Sequence, residues 1–430
     1  MKNRTGQSFT AIIPFILVTS CFALWGFAND ITNPMVKAFS KIFRMSVTDG
    51  ALVQMAFYGG YFAMALPAAL FIRRYSYKAG IMLGLALYAV GALLFLPAKE
   101  TGCYYPFLAA YFILTCGLSF LETSCNPYIL SMGDEKSATR RLNLAQSFNP
   151  IGSLLGMYVA MNFIQNRLNP MSTEERSLLP DAEFAALRDS DLAVLIEPYL
   201  AIGIVIGILF LIFLFVKMPT EKESAAKNSL RQTFSNIFAI KHYRDGVVAQ
   251  FFYVGAQIMC WTFIIQYGTQ LFTSEGMAEQ DAEILSQKYN IAAMILFCCS
   301  RFVCTYLLRF INPGNLLRIL AVAACCFTIG AIVLQNRVGL YSLVAVSGCM
   351  SLMFPTIYGI ALKGLGDDAK LGAAGLIMAI LGGSVLPPLQ AMIIDNGEIA
   401  GLPAVNVSFV LPLICFIVIA IYGKSTSRLA

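Results

Sequence analysis

The chain has 430 residues, of which 58% are hydrophobic and 13% charged, against a charged share of about 25% in ordinary soluble domains. That composition, with a mean hydropathy of +0.71, excludes a soluble globule. The net charge of +6 is not a nucleic-acid footprint either, because the basic residues gather in alternate loops.

Apolar runs of about 18 residues or more are long enough to cross the hydrocarbon of a bilayer as helices. Six are predicted at Phe9–Asn33, Thr48–Ile72, Ala79–Leu96, Tyr104–Met132, Leu142–Ile164 and Leu192–Val216. Six more are predicted at Gly246–Leu271, Tyr289–Leu308, Asn315–Leu334, Leu340–Leu362, Leu371–Ile394 and Pro403–Tyr422. The fold class is therefore an all-α membrane protein of twelve transmembrane helices: a bundle in 1–216, a cytoplasmic linker in 217–244 and a second bundle in 245–430. Phe9–Ala28 is too long for a cleaved signal, has no small-residue cleavage site and runs into Asn29, Asp30 and Asn33, so it reads as a span. Eleven of the twelve cysteines fall in or beside apolar runs and read as small buried hydrophobes.

Loop charge sets the orientation. With both termini and the even-to-odd loops on one side, that side holds 20 of the 30 Lys and Arg residues and seven of the 24 acids. Basic loops stay cytoplasmic, which places both termini inside.

Two segments recur in equivalent loops. Leu70–Gly80, with Arg73 and Arg74, lies between spans two and three; Leu307–Gly314, with Arg309, lies between spans eight and nine. Gly133-Asp134 follows span four and Gly366-Asp367 follows span ten. Near-constant offsets between them predict duplicated six-helix halves, an architecture of secondary transporters whose sites lie near the bilayer midplane.

Three charged residues fall well inside apolar runs: Asp30, Glu122 and Arg301. A charge at mid-bilayer costs about 2.5–3.5 kcal/mol on insertion scales, so each needs a cavity or a partner. Glu122 shares a helix face with Asn126, one turn on, and Pro127 disturbs the backbone ladder beside them. Removal from water disfavours the ionised form of a carboxyl, which suits Glu122 to carry a proton. Asn143, Gln146 and Asn149 recur every three residues on one broad face. Their amides suit a polyhydroxylated sugar, and equally suit hydrogen bonds between helices. Asp30 and Asn33 are one turn apart ahead of Pro34, as a polar pair or a helix end. Arg301 reads as a partner of Glu122 or Asp30, or as a snorkelling cation beside Arg309. The two tryptophans, Trp25 and Trp261, sit in the opening helix of each half; aromatic faces there would stack on a sugar ring or anchor an interface. Tyr253, Gln257 and Trp261 share one face of span seven.

Catalytic motifs are not found. Gly423-Lys424-Ser425 ends like a phosphate loop, but position 418 is Val, and neither HExxH nor GxSxG occurs. The reading is not an enzyme, and no cofactor or metal is expected. A membrane-embedded enzyme or sensor would need a soluble domain larger than the stretches 165–191 and 217–244.

Leu121-Glu122-Thr123-Ser-Cys-Asn126-Pro127, followed by Arg141-Leu142-Asn143-Leu144-Ala145-Gln146-Ser-Phe148-Asn149, resembles the paired signature of the fucose/proton symporter family of the major facilitator superfamily, which includes glucose/galactose permeases. The similarity continues through Phe251–Trp261, Ser300-Arg301-Phe302, Pro355–Tyr358 and Lys363–Gly366. It implies proton-coupled uptake of a monosaccharide, most simply L-fucose, by a monomer in the lipid bilayer of a bacterial inner membrane. The alternatives are another hexose or an uncoupled uniporter. It further implies that Glu122 binds sugar and couples protons, that Gln146 and Asn149 hold hydroxyls, that Trp25 and Trp261 stack on the ring, and that Arg301 is structural. Two departures stand out. The family acid in the first span is Asn33 here, with Asp30 one turn away, and Phe354 stands where the fucose symporter has tyrosine.

Overall fold

The computed structural model describes residues 4–32, 35–45, 52–171, 173–218, 230–394, 397–399 and 401–427. Apart from a two-residue hairpin pairing Glu398–Ile399 with Leu402–Pro403, the secondary structure among them is helical. Eleven helices among the described residues are long and apolar enough to cross a membrane. They match eleven of the predicted spans, with boundaries that differ mainly by extension. The sixth, Asp181–Phe215, begins well before Leu192, and the seventh, Lys241–Ser274, runs past both predicted ends.

The fifth span is present as three consecutive pieces rather than one helix: Ala138–Gln146, Phe148–Val159 and a π-helical turn, Ala160–Gln165. The break precedes Pro150. Proline has no amide hydrogen, so the carbonyl of Gln146, four residues earlier, loses its helical donor. The tenth span divides in the same way, into Arg337–Met350 and Met353–Ala361. There Pro355 deprives the carbonyl of Ser351.

Contacts divide the chain into two units, Met1–Ile129 with Ile151–Ala225, and Leu130–Pro150 with Ala226–Ala430. This differs from the covalent division at the linker in one segment, 130–150. That segment groups with the later helices because Ala138–Gln146 lies on Met353–Ala361. A Cβ at Gly359 would be 2.9 Å from the hydroxyl of Thr139, and Asn143 Nδ2 donates to Thr356 Oγ1 at 3.2 Å.

In the first unit, the second piece of the fifth span packs backbone to backbone on the first span. A Cβ at Gly152 would overlap the carbonyl oxygen of Ala23. In the second unit, Gly382 of the eleventh span makes the same kind of approach to the carbonyl of Phe251 in the seventh. The Gly-Asp turns repeat as well. Gly133 and Gly366 are left-handed, with φ of 84° and 54°, and each leads through a single 3₁₀ turn into the next helix. Only glycine takes that backbone without strain, so these are the structural counterparts of the sequence repeat.

The loop after the fifth span is folded onto the first unit. Arg176 is fully buried and pairs with Asp191 at 2.6 Å, itself 3% exposed. Its guanidinium also donates to the carbonyls of Met171 and Asn169, and Asp191 Oδ1 accepts from the Asn169 amide. Lys41 reaches the same Asn169 carbonyl, while Arg44 donates to Leu179 O and lies over the Phe184 ring. Breaking a buried pair by removing one partner strands the other charge. Asp191→Asn should therefore destabilise the protein by about 3–5 kcal/mol, read as a lowered thermal transition in detergent. An unchanged transition would show the pair to be dispensable.

Candidate functional site

The candidate residues fall into two groups, one in each unit. In the first unit, Glu122 lies mid-helix in the fourth span, Tyr105–Ser131, and is 5% exposed. Tyr61 of the second span donates its hydroxyl to Glu122 Oε1 at 3.4 Å. Glu122 Oε2 is buried with no hydrogen-bond partner among the described residues. The carboxyl therefore has one long bond and one open oxygen. Asn126 is fully buried and turns its amide back to the Glu122 carbonyl at 2.9 Å. Thr123 Oγ1, Thr19 Oγ1 and Asn29 Oδ1 of the same unit are further buried oxygens without a hydrogen-bond partner among the described residues. Trp25 is 3% exposed and packs on Phe22 with ring centroids 4.3 Å apart. Asp30 is half-buried near the end of the first helix, close enough to Tyr58 to act on its hydroxyl electrostatically. Asn33 lies outside the described residues.

In the second unit, one face of the seventh span carries Tyr253, Gln257 and Trp261, as their spacing requires. Tyr253 is fully buried, donates to the Met350 carbonyl at 3.2 Å and meets Phe354 edge-on at 6.1 Å. Gln257 and Trp261 are half-buried. Trp261 donates its indole N–H to Ser347 Oγ at 3.2 Å and stands T-shaped to Phe297. Those contacts fix the ring's position. Phe354 stacks on Tyr358.

The three amides of the fifth span do not share one environment. Asn143 is fully buried and donates to Thr139 O and Thr356 Oγ1; it holds two helices together. Gln146 ends the first piece of the span, 3% exposed. Asn149 lies beyond the break, half-buried in the first turn of the second piece. Arg301 is 3% exposed and is satisfied by backbone, donating from Nε to Ser351 O at 2.5 Å and from Nη1 to Gln146 O at 3.0 Å. Its guanidinium also lies 4.6 Å from the centroid of the Phe297 ring. Sequence reasoning missed Tyr61, whose approach to Glu122 depends on helix packing and leaves no local signal.

Residues 18–388 match the Major Facilitator Superfamily. The chain is 52% identical over 418 residues to an L-fucose-proton symporter of Haemophilus influenzae, covering 96% of each protein. It is 34% identical to the L-fucose-proton symporter of Escherichia coli, covering all of this chain and 97% of that protein. The chain belongs to the L-fucose-proton symporter family of the major facilitator superfamily. A glucose/galactose transporter of Brucella abortus is 30% identical over 96% of this chain and 93% of its own length. A crystal structure of the transporter FucP in the outward conformation superimposes with a TM-score of 0.86 at 33% identity, covering 97% of this chain and 99% of that one. The family resemblance seen in the paired signature of spans four and five thus extends over the whole chain, and the family consists of multi-pass membrane transporters.

Hydrogen bonds between membrane helices average about 0.6 kcal/mol and reach about 1.7. Thr356→Val removes the acceptor of Asn143 and should lower stability within that range, while Thr356→Ser restores it. Equal thermal transitions for wild type and the valine variant would remove Asn143 from the set of helix fasteners.

Proposed function

We propose that the protein takes up L-fucose with protons across a bacterial inner membrane. The observation that carries this is Glu122: a carboxyl buried mid-span, bonded at one oxygen by Tyr61 and open at the other, in a chain half identical to an L-fucose-proton symporter. The open oxygen is an acceptor for a proton or a sugar hydroxyl. Gln146 and Asn149 offer amides to hydroxyls, with Tyr253, Gln257 and Asn126 adding polar groups. Trp25 and Trp261 stack on the ring. Phe354 has no hydroxyl and presents an apolar face, which suits a sugar carrying a methyl group. The protein acts as a monomer in the lipid bilayer, with the bundles 1–216 and 245–430 joined by the linker 217–244 and both termini cytoplasmic, on the strength of the loop charges. The similarity to a glucose/galactose transporter supports a second reading, uptake of those hexoses.

The coupling cycle follows from where the proton sits. An outward-facing carrier loads a proton on Glu122 together with sugar, and opening to the more alkaline cytoplasm releases both. Asp30 is the acid of the first span and stands in for the family acid absent at position 33.

Two experiments test this. Replacing Trp25 or Trp261 by Ala should weaken sugar binding roughly tenfold, about 1.4 kcal/mol, with a smaller effect on the thermal transition; normal binding by both variants would make them packing residues. Glu122→Gln mimics the protonated acid. It should keep L-fucose exchange between the two sides of proteoliposomes while losing accumulation driven by a pH gradient. Asp30→Asn should show the same split. Undiminished accumulation in Glu122→Gln would take this residue out of the proton path.

A further inference from the structure

Arg301 is the largest buried cation of the second unit, and it is bonded to no carboxylate among the described residues. Its two described hydrogen bonds go to the carbonyls of Gln146 and Ser351. These two are not arbitrary. In an α-helix each carbonyl accepts from the amide four residues on. For Gln146 that residue is Pro150, and for Ser351 it is Pro355. Both prolines lack the amide, so neither carbonyl receives the hydrogen bond of a continuous helix, and an unmet polar group in an apolar interior is costly. One guanidinium, with donors fanned in a plane, serves both at once.

The breaks also carry candidate sugar contacts. Gln146 contributes the carbonyl itself and Asn149 directly precedes Pro150; Phe354 directly precedes Pro355. We propose that Arg301 is a positioning residue for the sugar site: by donating to the two carbonyls orphaned by Pro150 and Pro355, it fixes the broken fifth and tenth spans so that Gln146, Asn149 and Phe354 present to the sugar. The Phe297 ring under the guanidinium, 4.6 Å from its centroid, holds the cation in that plane and is the same ring that abuts Trp261. Arg301 thereby also connects to the edge support of that tryptophan. Lysine cannot replace it, because a single ammonium on a flexible stem lacks the fixed fork.

This inference rests on the sugar-uptake reading, and the test separates the two. L-Fucose binding is measured calorimetrically on purified wild type, Arg301→Met, Pro150→Ala/Pro355→Ala and the triple variant, alongside their thermal transitions. Restoring the two amides supplies each carbonyl with its helical donor, so arginine becomes redundant. Arg301→Met alone should weaken binding at least about tenfold, since small displacements of binding groups cost that much, and the triple variant should recover most of the loss. A purely structural arginine would lower the thermal transition without that recovery of affinity. Should the methionine variant not be recovered folded, Arg301→Lys, on the wild-type and on the proline-free background, carries the same comparison. No L-fucose binding by wild type contradicts the functional reading. Wild-type binding with equal binding by the Arg301 variant, or an undiminished arginine effect in the proline-free background, contradicts the positioning role.

Discussion

Inside a bilayer every backbone carbonyl needs a donor, and a helix meets that need only while its amides are unbroken. Proline breaks the supply. In this chain the prolines at 150 and 355 leave two carbonyls without their helical donor, and the buried Arg301 is what meets them. The cost of burying a cation is offset by two charge-assisted hydrogen bonds and an aromatic face. From this follow the split of the fifth span and the placement of Gln146 and Asn149 on opposite sides of a break. A continuous fifth helix would carry its three amides as one stripe. The broken one commits Asn143 to packing, and the other two are proposed for the site.

Both units also hold buried side-chain oxygens without a hydrogen-bond partner among the described residues. Among the described residues, Glu122, Thr123, Thr19 and Asn29 of the first unit leave an oxygen open, as Asn143, Gln250 and Gln390 do in the second, and Tyr61 reaches only one side of the Glu122 carboxyl. Unsatisfied buried oxygens are costly at rest, and under the proposed uptake the Glu122 oxygen would be met by a proton or a sugar hydroxyl.

Much of this was legible in the sequence, for specific reasons. Eleven spans follow from apolar length alone, and the Gly-Asp turns at 133 and 366 foretell the duplicated halves because only glycine takes their left-handed backbone easily. Glu122 was visible as a charge where charges are expensive. The break in the fifth span was legible in principle from Pro150, but hydropathy runs straight through it. That the amide of Asn143 packs depends on Thr356, more than two hundred residues away in sequence. The role of Arg301 was illegible for the same reason: its partners are carbonyls, which carry no residue identity, and they lie 155 and 50 residues from it. Position 33 departs from the acid that the family resemblance implies, and Asp30, half-buried one turn earlier, is the residue proposed to stand in for it.

The central claim is that sugar and proton enter together. Purified protein in proteoliposomes without a pre-formed gradient, in a lightly buffered medium, tests it directly. Addition of L-fucose should make the external medium alkaline in step with labelled sugar entry, and a protonophore should abolish the pH change while leaving sugar equilibration. Sugar entry with no accompanying proton movement would contradict the account and make the protein a uniporter.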